Sequence, residues 1–152
     1  MREILFRGQT RRYGERVWMN GEKVPGNWVY GGIFPGTGDF SVIYGANKED
    51  FTGADIAKHT VYSDTVGQFI GLTDKNGTRI FEGDVVRFHM FRDEPDWVGE
   101  IKYELGLYLI VGNFPNRFEV QVSSRDKSTF EVIGNIHDNP ELIGERRGND
   151  EP

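Results

Sequence analysis

The chain has no cysteine among its 152 residues, so disulfides and thiolate metal sites are excluded, and its expected compartment is a reducing one, the cytoplasm of a bacterial host. Histidine is scarce too. His59, His89 and His137 lie far apart, with no metal-protease spacing among them. No apolar run approaches the roughly 20 residues that a membrane-spanning helix needs. The N-terminus lacks the apolar core of a secretory signal, so neither anchor nor leader is expected. A Walker loop is missing as well. The glycine-rich Gly31–Gly38 segment carries no Gly-Lys-Ser/Thr and opens no helix, so it reads as a strand ending in turns. No serine sits in a nucleophile elbow. Cofactor and metal are therefore expected to be none.

Apolar residues make up only 37% of the chain, but aromatics reach 13%, and large rings bury much area per residue. Twenty glycines suit short strands joined by tight turns. Net charge is −6, which weighs against nucleic acid as a partner. The charge is uneven. Residues 1–20 hold five arginines against two glutamates, a local +3, whereas residues 137–152 carry a local −3.

The most legible stretch is Thr65 to Phe88. Val66 to Leu72 reads as a strand. Asp74-Lys75-Asn76-Gly77 is a hairpin turn, because Asn-Gly supplies positive φ angles and Asp74 can accept from the backbone ahead of it. Thr78 to Phe81 returns. Glu82-Gly83-Asp84 turns again into a strand Val85 to Phe91, with Val86, Phe88 and Met90 on one face. At the front, Glu3–Gly8, Arg16–Met19, Asn27–Phe34 and Phe40–Gly45 read as strands. Asn47 to His59 reads as a short helix with an apolar stripe of Phe51, Ala54, Ile56 and Ala57. At the back, Asp96–Tyr103, Leu107–Val111, Phe118–Val122 and Thr129–Ile133 read as strands about ten residues apart. Asp138-Asn139-Pro140-Glu141 opens a last helical turn.

These elements predict a mainly β fold of antiparallel strands. The C-terminal half is expected to form a small SH3-like barrel, and the N-terminal half a β-rich subdomain with one short helix. The expected division is 1–64, then 65–143 with the central hairpin and barrel, then a tail at 144–152. Val86, Phe88, Ile101, Leu109, Val120 and Val132 are the expected core.

The segment TVGQFIGLTDKNGTRIFEGDVV resembles the signature of the YopX family of phage and prophage proteins. Met1–Gly8, Asn27–Gly31 and Val132–Leu142 match further blocks in order. The resemblance implies a small, mostly β, phage-related protein and carries no particular activity. It marks Gly67, Gly71, Asp74, Asn76, Gly77, Glu82, Gly83, Asp84, Gly134, Asn135, Asn139 and Pro140 as structural motif positions.

Three functional readings remain. The first is a non-catalytic module that binds a macromolecule, a protein in preference to nucleic acid, with a homo-oligomer compatible and no membrane involved. The second is nucleic-acid binding through Arg7, Arg11, Arg12 and Tyr13 in the basic N-terminal hairpin, where arginines interleave with rings that can stack on bases. The third is an enzyme using Glu82 and Asp84, since paired carboxylates can do acid–base work. A solvated turn explains the same two carboxylates.

Overall fold

The structure, a computed structural model, describes residues 2–11, 18–19, 22–23, 25–45, 57–114, 116–123 and 129–143. The chain divides into two compact units, Met1–Gln68 and Phe69–Pro152. The fold is mainly antiparallel β. Its strands are β1 (Phe6–Arg11), β2 (Trp18–Met19), β3 (Glu22–Lys23), β4 (Pro25–Phe34), β5 (Phe40–Gly45), β6 (Ala57–Tyr62) and β7 (Gly67–Thr73). They continue with β8 (Arg79–Phe81), β9 (Asp84–Phe88), β10 (Trp97–Glu104), β11 (Leu107–Phe114), β12 (Phe118–Gln121) and β13 (Glu131–Asn135). Among the described residues, no helix is long and apolar enough to cross a membrane.

In the first unit the strand pairings close a circuit. β1 pairs with the first half of β4, placing Phe6 opposite Gly31 and Gln9 opposite Trp28. The second half of β4 pairs with β5, and β5 with β6. β6 returns to β1 through Thr10 and Val61. The strand β4 changes partner at Gly31. A Cβ there would stand 2.0 Å from the carbonyl oxygen of Tyr44, so only glycine lets the two backbones approach. Ile43 and Val61 are fully buried on the inward face. A 3-10 turn, Ser63–Thr65, follows β6. Its Thr65 hydroxyl donates to Tyr62 O at 2.7 Å and accepts from the Gln9 N–H at 2.9 Å.

The helix expected over Asn47–His59 falls mostly on residues outside those described. Where description resumes, Ala57–His59 is the start of β6, not a helix end. Pairing with β5 from Phe40↔Tyr62 to Gly45↔Ala57, and the β-branched Thr60 and Val61, favour the strand. Asn20-Gly21, an Asn-Gly pair that in sequence signals a hairpin turn, also lies outside the described residues.

In the second unit, β7 beyond Gln68 pairs with β8 through Phe69↔Phe81 and Thr73↔Arg79, with a register irregularity between them. The remaining strands form one sheet in the order β12-β11-β10-β9-β13, a meander whose last strand comes back beside its first. Ile80, Val86, Phe88, Ile101, Ile110 and Phe130 form its buried cluster. Phe88 sits at the centre, edge-on to Trp97, Phe118 and Phe130 with centroids 5.7–6.1 Å away. Such pairs add to plain area burial.

Three expectations are corrected here. β9 ends at Phe88, so Met90 is exposed and not part of the core face. In β11 the buried apolar side chain is Ile110, while Leu109 is only half-buried. A register shift between Val98 and Glu100 brings Ile101 opposite Ile110, and an unbroken apolar run gives no alternation from which to choose a face. β11 also runs beyond the expected Leu107–Val111, through Gly112 to Phe114. Val120 and Val132 are half-buried and pack against the cluster.

Candidate functional site

The motif positions of the second unit are occupied with holding backbone. Asp74 is buried, and its carboxylate takes three main-chain donors. Oδ1 accepts from Asn76 N–H and Thr78 N–H, each at 2.9 Å, and Oδ2 accepts from Val132 N–H at 2.9 Å. Lys75 N–H donates to Phe130 O at 3.0 Å beside it. One carboxylate thus shapes the β7–β8 turn and anchors β13 to it. Burial pushes the Asp74 pKa up. The three N–H donors and the neighbouring Lys75 outweigh that and hold it below the ordinary carboxylate value. Asn76 and Gly77 form the turn itself, with Gly77 at φ +81°. Gly71, at φ +92°, lies within the irregular stretch of β7, while the motif residue Gly67 belongs to the first unit, where it pairs with Arg7.

Glu82 and Asp84 flank Gly83, which has φ +85°. Asp84 is 1% exposed, and its Oδ2 accepts from Phe81 N–H at 2.8 Å. Gly83 N–H donates to Ile101 O, and Gly83 O accepts from Ile136 N–H, both at 2.9 Å. The turn is therefore woven between β10 and the chain after β13. Glu82 is half-buried. A catalytic pair would need both carboxylates facing a substrate, and Asp84 faces the backbone.

After β13, the Asn135 side chain closes the last turn. Its Oδ1 accepts from His137 N–H and Asp138 N–H at 3.0 and 2.9 Å, and Nδ2 donates to Asp138 Oδ2 at 3.0 Å. Asn139 N–H donates back to Asn135 O at 2.8 Å, and Pro140 O accepts from Ile143 N–H. Gly134 sits under this knot. A Cβ there would lie 2.5 Å from Asn139 Oδ1 and 2.8 Å from a Leu142 methyl. Among the described residues no group of three or more His, Asp or Glu is placed to hold a metal ion.

Of the basic N-terminal candidates, Arg7 is 7% exposed, with its guanidinium 4.6 Å from the Trp28 ring centroid. It is positioned as a cation on an aromatic face instead of a solvated arm. Arg12 and Tyr13 lie outside the described residues, as does the Arg11 side chain. The exposed face of β9 and β13 carries a chain of ion pairs. Glu131 meets Lys75 at 3.5 Å and accepts from Arg87, and Asp96 meets Arg87 at 3.9 Å and His89 at 3.0 Å. The Arg87 hydrogen bond holds the Glu131 pKa down, and Glu131 holds that of Arg87 up.

Two surface features were not singled out from sequence as sites. The first is the tip of the β10–β11 hairpin. Tyr103 pairs with Tyr108 and Glu104 with Leu107, leaving Leu105-Gly106 as a two-residue turn. Both turn residues have positive φ, +52° and +80°. Leu105 is fully exposed and is the non-glycine residue with positive φ among those described. The Tyr103 and Tyr108 rings stand 5.0 Å apart on the strand face that buries Ile101 and Ile110 further in. The apolar side of the hairpin thus runs on past the core into solvent. Its sequence signal is a Leu-Gly where a hairpin of this kind favours Asn-Gly.

The second feature is the outward face of β4 and β5 in the first unit. Trp28, Tyr30, Gly32 and Phe34 alternate onto one side of β4. Tyr44 stands opposite Gly32, and Val42 opposite Phe34. Its signal was the two-residue aromatic period itself.

The comparisons with known proteins bear on descent. No curated protein matches the chain. The crystal structure of protein EF1440 from Enterococcus faecalis is similar at 24% identity, covering 69% of this chain and 75% of that one with a TM-score of 0.37. The family model described as YopX protein matches residues 37–144. That span takes in the Asp74 clamp, the Glu82–Asp84 turn and the Asn135 knot, and the chain belongs to the YopX family.

Proposed function

We propose that this YopX-family chain is a non-catalytic binding module of a phage or prophage, acting in the cytoplasm of its bacterial host and docking another protein through the β10–β11 tip. The carrying observation is Leu105. A leucine held in the left-handed region costs about 1–2 kcal/mol against a residue suited to it. A fully exposed side chain recovers none of that cost within its own chain. Tyr103 and Tyr108 extend the apolar surface beside it, with Leu107 exposed on the opposite face of the hairpin, and tyrosine is among the residues that dominate protein interfaces. The second unit holds ten Lys and Arg against sixteen Asp and Glu, the whole of the net −6, which disfavours a nucleic-acid partner for this tip. Glu104 beside the tip suits a partner pocket with a basic rim. The strand order of this unit suits an SH3-like barrel that presents the hairpin from a rigid base.

The test uses a photo-crosslinking residue at position 105 in the full chain, expressed in the host. The captured protein is then purified and its affinity measured. Leu105→Asn should weaken that binding at least tenfold while raising stability by about 1 kcal/mol, because asparagine tolerates positive φ. If the crosslinked species is a second copy of the chain, sedimentation will show a dimer that Leu105→Asn dissolves. Unchanged affinity in the variant refutes the assignment.

A further inference from the structure

The first unit differs in charge from the second. It holds eight Lys and Arg against eight Asp and Glu, a balance of zero. The acidity that disfavours nucleic acid for the whole chain therefore belongs to the other unit. On this neutral unit, Tyr30, Phe34 and Tyr44 are 47%, 65% and 41% exposed. They surround Gly32, where a Cβ would meet nothing within 4 Å. The result is a bare backbone floor bordered by three rings. Tyr30 and Phe34 are four residues apart, about 13 Å along the strand, with Gly32 midway between them. Lys58 on β6 lies across from Tyr44 and is exposed. At the other end Arg7 lies over Trp28, a cation already paired with an aromatic face.

We propose that this face binds single-stranded nucleic acid by stacking, with bases against the rings of Tyr30, Phe34 and Tyr44 and phosphate beside Lys58. The chemistry favours single strands, because stacking on a side chain needs a base face that a duplex keeps covered. It also favours weak sequence preference, since every base has a π face. Buried Arg7 acts within the platform and makes no phosphate contact of its own. Few phosphate contacts mean a shallow salt dependence. With one or two cations engaged, the logarithmic slope should fall between about −0.7 and −1.4. A grip by all five N-terminal arginines would give about −3.5.

The experiment titrates the full chain against fluorescein-labelled oligo-dT and oligo-rU by anisotropy at two salt concentrations, with a duplex as control. Binding is expected in the micromolar range for the single strands, with the duplex weaker. Tyr30→Ala, Phe34→Ala and Tyr44→Ala should each lower affinity roughly 5- to 150-fold. Tyr44→Phe should retain it, because the ring is kept. Lys58→Gln should flatten the slope by about 0.7. Gly32→Leu is the decisive variant. A Cβ there meets nothing within 4 Å, and the leucine side chain beyond it covers the floor, so the variant should abolish binding with an unchanged circular dichroism spectrum. Leu105→Asn, in the other unit, should leave this binding intact, so the two assignments fail separately. Absence of binding at about 100 µM protein in low salt would overturn the proposal. So would equal affinity for the duplex, or alanine variants that bind like the parent.

Discussion

Replacing Asp74 by alanine asks how much of the second unit hangs on one carboxylate. The side chain accepts from Asn76, Thr78 and Val132 N–H groups, two within its own turn and one 58 residues later in β13. Hydrogen bonds to a charged acceptor contribute about 1.5–3 kcal/mol each, so three independent ones would total roughly 4.5–9 kcal/mol. The turn donors flank exposed residues, and water can replace part of what they lose. The Val132 N–H bond also ties β13 to the turn across 58 residues, so its loss loosens that strand as well. An expected loss of about 3–5 kcal/mol follows, a large share of a domain's usual 5–15 kcal/mol. The sign of the pH effect is fixed by the lowered folded pKa. The Asp74 contribution is complete above the unfolded value near 3.9 and disappears as pH falls through the folded value. Asp74→Ala should therefore cost most at neutral pH and progressively less below about pH 4. Urea unfolding read through Trp97, in a background with Trp18 and Trp28 changed to Phe, isolates this unit. A midpoint shift worth under about 1 kcal/mol at pH 7, with an unchanged m-value, would refute the reasoning.

Phe88→Ala should cost about 3–5 kcal/mol in the same assay, since it empties the centre of an aromatic cluster; a negligible change would contradict that placement. Gly77→Val should lose more than about 1 kcal/mol, because a β-branched residue is strained at positive φ, and an unchanged Tm would disprove the turn. Gly134→Ala should destabilise by about 1–3 kcal/mol, because its methyl group collides with Asn139 and Leu142. Asn139→Ala in combination should recover part of that loss, and strict additivity would show that the clash lies elsewhere.

What the sequence revealed depended on how local the cause was. Asn76-Gly77 and Glu82-Gly83-Asp84 are turns whose chemistry lies within four residues, and they stand where they were expected. The alternation of Phe118 and Val120 set the inward face of β12 for the same reason. Leu107–Val111 held no alternation, so its buried residue depended on a register shift in another strand. The reach of Asp74 to Val132 was equally invisible, since no local pattern ties a turn to a strand 58 residues away. Arg7 looked like a solvated cation because sequence does not show that Trp28 lies across the sheet from it. The exposed rings of β4 carried a readable period, but the period alone does not say which face meets solvent.

The place of β13 also has a consequence for synthesis. Val132 leaves the ribosome 58 residues after Asp74, which at 5–20 residues per second is roughly 3–12 s. Once Glu104 has emerged, 28 residues before Val132, β9 has its neighbour β10 on one side and an open edge on the other, with Val85, Val86 and Phe88 available to any passing strand. Arg87 interrupts that run. Before Glu131 arrives to bind it, Arg87 is a charge in the middle of the open edge, placed where it repels copies of itself on neighbouring nascent chains. The residue that later ties β9 to β13 is thus the one that keeps β9 from the wrong partner while β13 is still being made.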